Sequence, residues 1–97
     1  MEINYLQWIQ SWYESQCDGD WEHSTGIRIE TLDNPGWNIE ISLEGTDLED
    51  KLFSPLEIER NEFDWFYCKI EELIFKGYGG SKNLEEIIKI FKEWVEN

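Results

Sequence analysis

Seven consecutive residues, Cys17-Asp18-Gly19-Asp20-Trp21-Glu22-His23, gather the only histidine of the chain, one of its two cysteines and three carboxylates. Side chains of these types ligate metals, shuttle protons or attack electrophiles, so any chemistry in this sequence starts here. Asp18, Asp20 and Glu22 alternate like the opening of a calcium loop. Such a loop needs glycine at its sixth position and a bidentate acid at its twelfth. Counted from Asp18, those positions hold His23 and Ile29, and the pattern fails. Cys17, His23 and one carboxylate form a set that zinc accepts, but a solitary Cys and a solitary His carry little specificity.

A Cys17–His23 nucleophile fares no better. A reactive thiolate wants a cationic setting or a helix N-terminus. Cys17 follows a helical pattern and so meets the negative end of the helix dipole, with Asp18 and Asp20 beside it. No phosphate-cradling glycine loop and no second element supplying an oxyanion hole complete a site. No catalytic residue, metal or cofactor is therefore assigned. A small enzyme or metal-binding protein using Cys17, His23 and nearby carboxylates is the alternative to be tested. Two readings without catalysis also fit the loop. In one, Asp18 and Asp20 bond nearby backbone N–H groups, Trp21 plugs the core edge and His23 is merely polar. In the other, Trp21 is an apolar anchor ringed by carboxylates that accept lysine or arginine from a partner.

The elements around the loop must position it. Residues 1–97 suffice for a single domain with one core, and six tryptophans argue for folding despite the high charge. Residues 3–16 repeat apolar side chains at helical spacing in two rows, Ile3, Leu6, Ile9 and Tyr13 beside Tyr5, Trp8 and Trp12. Cys17-Asp18-Gly19 ends that helix. Ile27 and Ile29, then Trp37, Ile39, Ile41 and Leu43, alternate with polar residues across Pro35-Gly36, which predicts a β-hairpin with a type II turn. Residues 45–55 read as a loop and 56–60 as a short strand. An aromatic strand over 64–76 loses its period at Glu71-Glu72, which calls for a bulge or a break. Gly77-Tyr78-Gly79-Gly80 reads as a flexible turn. Asn83 is placed to cap a second amphipathic helix carrying Leu84, Ile87, Ile88, Phe91, Trp94 and Val95 on one stripe. The expected fold is α+β: an antiparallel sheet of three to four strands with an N-terminal and a C-terminal helix on one face. Its other face would carry Arg28, Glu30, Asn38, Glu40, Trp65, Tyr67 and Lys69, a second candidate platform.

Charge narrows the partners. Eight basic against twenty-two acidic residues leave a formal net charge of −14. Arg28 is the first cation, so Glu2, Glu14, Asp18, Asp20 and Glu22 have none to offset them in the first 27 residues. From Glu44 to Asp64 eight acids face only Lys51 and Arg60. Such a surface repels nucleic acid and speeds capture of a basic protein. No stretch approaches the ~18–20 apolar residues of a membrane span. Met1-Glu2-Ile3-Asn4 lacks a basic leader, so a cytoplasmic location is expected.

The run WYESQCDGDWEHSTGIRIETLDNPGW (12–37), with Asp64-Trp65 and GYGGSKNLEEIIKIF (77–91), resembles the immunity protein 53 family of bacterial polymorphic toxin systems. The likeness covers nearly the whole chain, is densest from Cys17 to Trp37, and brings no motif in 46–62. The family's tryptophan and its Trp-Glu pair near a glycine fall on Trp12, Trp21, Glu22 and Gly26, while Gly19 and Gly36 suit a scaffold role. The resemblance implies an α+β antidote, encoded beside a toxin gene, that blocks a cognate toxin domain stoichiometrically and without catalysis. The expected partner-binding residues are Asp18, Asp20, Trp21, Glu22 and His23, with the acids mimicking the phosphates of a nuclease-like toxin's substrate. The segment Glu44–Asp64 is the alternative location. Exposed tryptophans would serve a homodimer equally well, and oligomeric state is left open.

Overall fold

The computed structural model describes residues 3–23 and 26–97; Glu2 of the acidic N-terminal run lies outside them. Helix α1 (Tyr5–Gln16) starts where the Asn4 side chain accepts a hydrogen bond from Gln7 N–H at 2.9 Å, satisfying one of the free donors of the first turn. Of its two apolar rows it buries chiefly one. Ile9 and Trp12 are in the core with Trp8 half-buried, whereas Leu6 stands 62% exposed. Helix α2 (Leu84–Glu96) buries Ile87, Ile88, Phe91 and Trp94 of its stripe, with Leu84 and Val95 half-buried at the two ends.

Five strands, one or two more than expected, form a single antiparallel sheet: β1 (Ile27–Leu32), β2 (Gly36–Ser42), β3 (Leu56–Asn61), β4 (Asp64–Glu71) and β5 (Ile74–Gly79). Their order across the sheet is β1-β2-β5-β4-β3, so the last strand fills the centre. The extra strand comes from the period slip at Glu71-Glu72, which is a break. Glu72 and Leu73 adopt φ of 53° and 62° and close a two-residue hairpin between β4 and β5. Two central residues with positive φ are what the right-handed strand twist demands, although neither is the usual Asn or Gly.

The stretch 77–80 corrects another expectation, because Gly77 and Gly79 belong to β5 rather than to a flexible turn. A Cβ on Gly77 would lie 2.4 Å from Ile87 Cγ2 and 2.9 Å from Ile39 Cγ2. These glycines exist to let α2 lie directly on the sheet, not to bend the chain. Gly36 is similar. It opens β2, where a Cβ would sit 2.3 Å from the Gly79 carbonyl oxygen, and the Asn34–Pro35 bond before it is cis. The expected type II turn, with glycine as its second central residue, is not formed.

Both helices cover one sheet face. Ile39, Ile41, Phe66, Cys68 and Phe75 join the buried residues of α2 in one core there, and Phe91 is the hub: its ring centroid lies 5.0 Å from both Trp12 and Phe75. Edge-to-face aromatic pairs of this kind add roughly 0.5–1.5 kcal/mol each beyond area burial. Asn83 does not cap α2 through its side chain as expected. It is buried, its Nδ2 donates to Asp64 Oδ1 (2.9 Å) and Glu86 Oε1 (2.8 Å), and Arg60 clasps both carboxylates from outside. The loop between β2 and β3 passes under the other end of α2, where Lys51 Nζ donates to the Trp94 carbonyl at 2.6 Å. A cation there meets the negative end of the helix dipole.

Candidate functional site

The first loop is built by its own carboxylates. After Gln16 the chain leaves the helix at Cys17, whose ψ of 123° is extended, and turns back at Gly19 with φ +98°. Asp18 Oδ1 then accepts from the N–H groups of Asp20 (2.9 Å) and Trp21 (3.0 Å), opening a 3₁₀ turn over Trp21–His23. Glu22 reaches back in the opposite sense, its two oxygens accepting from Asp18 N–H (3.0 Å) and Gly19 N–H (2.9 Å). This is the reciprocal logic of a capping box. The Trp21 and Asp20 amides hold the Asp18 carboxyl below its ordinary range. Glu22 is lowered too, by its own backbone N–H, by those of Asp18 and Gly19, and by His23 nearby. Both acids are thus ionised and fixed in place.

Trp21 faces inward. Only 6% of it is exposed, and its ring packs edge-on against Trp12 at 5.8 Å and tilted against Tyr13 at 5.5 Å. The expected surface anchor is therefore a brace beneath the loop. The structural alternative is realised for Asp18 and Trp21, with Glu22 in the part foreseen for Asp20. Asp20 and His23 are exposed, and the Asp20 side chain makes no hydrogen bond or ion pair among the described residues. The cluster that the sequence suggested is brought together in space, with its carboxylates outside and its indole inside.

No ion pair among the described residues involves Glu14, Asp18, Asp20 or Glu22. Six of the eight lysines and arginines are paired elsewhere. Arg28 meets Glu30 and Glu40, Arg60 meets Asp64 and Glu86, Lys69 and Lys76 share Glu71, and Lys89 and Lys92 pair along α2 with Glu93 and Glu96. The uncovered sheet face, with Trp65, Tyr67 and Tyr78 half-buried, holds Arg28, Lys69 and Lys76, each engaged with Glu30, Glu40 or Glu71. In the alternative acidic segment, Glu49 folds back on Gly45 N–H (2.8 Å) and Phe53 packs on Phe75 and Trp94, but Phe63 stays exposed.

Beside the first loop lies a feature that sequence reasoning missed. The outer row of α1 and strand β1 enclose a groove of about 830 Å³, floored by Leu6, Ile9, Tyr13, Ile27 and Ile29 and reaching Glu14 and Cys17 at the loop end. Tyr13 and Ile29 are 38% and 40% exposed. The signal was the double stripe of α1: a short helix at the border of a sheet cannot bury both rows.

The two thiols differ. Cys17 is exposed, with Sγ donating to the Tyr13 carbonyl at 3.4 Å. Cys68 is buried, and burial pushes its thiol up to about 12. Among the described residues no group of three His, Cys, Asp or Glu side chains could hold a metal ion. No described helix is long and apolar enough to cross a membrane.

No curated protein and no solved structure matches the chain. A family match covers it from the first turn of α1 to the end of α2, through the loop, the glycine-bearing β5 and the clasp on α2. It is the model of immunity protein 53, matched over residues 6–96, and the chain belongs to that family.

Proposed function

We propose that this chain binds a cognate toxin domain in the cytoplasm, one to one, and blocks it by occlusion without catalysis. The contact surface is the acidic first loop, with Asp18, Asp20, Glu22 and His23 outside and Trp21 supporting them from beneath. The partner is a basic domain, of the kind that handles nucleic acid. One observation carries the reading: the Asp18 and Glu22 carboxylates are ionised, held by backbone donors and in no ion pair with a lysine or arginine among the described residues. Carboxylates fixed before binding lose little conformational freedom on meeting lysine or arginine, and long-range attraction raises the association rate.

Reversing Asp18 or Glu22 would unmake the loop, so the informative variant is Asp18→Asn with Asp20→Lys, which keeps an acceptor at 18 and changes an unbonded side chain at 20. Against the toxin domain encoded beside this gene, the double variant is expected to bind at least tenfold more weakly and with a shallower dependence on salt. Its melting temperature should fall by no more than the few degrees that the charge of Asp18 contributes to the turn. Unchanged affinity and unchanged salt dependence would remove the loop from the interface.

A further inference from the structure

We infer that the α1–β1 groove receives an extended, cation-bearing segment of the toxin, which pairs with β1 as a sixth strand. This rests on the proposed toxin binding and adds where and how the partner is held.

The free edge of β1 is the first observation. The bond from Ser42 N–H to the Gly26 carbonyl (2.9 Å), one step before the pairing of Ile27 with Ile41, sets the phase of the ladder. Hydrogen-bonded pairs alternate in an antiparallel ladder, so Arg28, Glu30 and Leu32 bond to β2. Ile27, Ile29 and Thr31 then turn their N–H and C=O groups outward. Their side chains lie on the helix side, where Ile27 and Ile29 floor the groove. A strand added here gains main-chain bonds and drops alternate side chains between β1 and α1, onto Leu6 and Tyr13.

The opposite edge is closed to such an addition. Pro55 precedes β3, the register shifts between Glu59 and Asn61, and Glu57 and Glu59 stand along it, all features that blunt a sheet edge. In β1 there is no proline and no register shift.

Charge selects the occupant. Among the described residues the groove lining contains Glu14 and no cation, and its loop end opens at Cys17 beside Asp18 and Asp20. A second copy of this chain would bring another −14 of charge to the same place. A segment with alternating apolar side chains, and a lysine or arginine near the Ile27 end, fits both the floor and the rim.

The test uses the toxin domain encoded beside this gene and the full chain. Amide exchange at Ile27, Ile29 and Thr31 should slow at least tenfold in the complex. Leu6→Lys changes an exposed side chain, and Ile29→Pro removes an outward N–H without touching the β2 ladder. Each should weaken binding tenfold or more. Wild-type affinity in Leu6→Lys, with exchange at these three amides as in the free chain, would overturn the groove while leaving toxin binding intact. A wild-type chain that fails to bind the toxin overturns the underlying reading instead. Sedimentation as a dimer that Leu6→Lys dissociates would make the occupant a second copy and overturn the inference.

Discussion

The two helices of this small domain lie on the same sheet face yet are used differently. α2 commits its entire stripe to the core: Ile87 presses on Gly77, Phe91 centres the aromatic cluster, and the Asn83–Arg60 clasp and Lys51 hold its two ends. α1 gives the core Ile9, Trp12 and parts of Tyr5 and Trp8, and leaves Leu6 and Tyr13 over a groove. Stability is concentrated in the C-terminal helix, and spare apolar surface is left on the N-terminal one. A binding protein needs both, and here they are on separate elements.

That division can be broken from either side. The largest effect is expected from Phe91→Ala, because a fully buried aromatic lost from a packed core costs about 3–5 kcal/mol. Urea unfolding would measure it, and a loss below about 1 kcal/mol would mean that α2 is not the anchor.

A smaller effect is expected at the loop. The folded-state values of Asp18 and Glu22 lie below the ordinary carboxylate range, so their contribution to stability is fully present above that range. It is lost as the pH falls through the depressed folded values. The melting temperature of Asp18→Ala should therefore lie a few degrees below wild type at neutral pH, and the gap should close in acid. A gap independent of pH would mean that the Asp18 bonds to Asp20 and Trp21 do not hold the turn. The smallest effect belongs to the outer row of α1, where Leu6→Gln should change stability by no more than about 0.5 kcal/mol in the same urea titration.

What was legible in the sequence follows the same division. α2 could be read because one stripe maps to one buried face, and the first hairpin because its alternation survives in the sheet. The shape of α1 could be read, but not which row it buries, since both rows are apolar and only the neighbouring elements choose. Gly77 and Gly79 looked like a turn because glycine usually marks one; here the cause is Ile87, ten residues away from the first of them and on another element. The 72–73 hairpin carries no turn residue and betrays itself only through the lost period. In the first loop, local sequence showed the acids but not their acceptor roles. Whether a carboxylate faces a partner or its own backbone depends on φ and ψ, and residue type does not reveal those.

The contrast between the two sulfurs supplies a built-in probe. Cys68 is sealed under the sheet with its thiol held protonated, while Cys17 stands in the open at the junction of the groove and the acidic turn. A maleimide dye added to the unmodified protein should therefore attach at one position only. Its emission would report, without any engineered residue, whatever arrives at that junction.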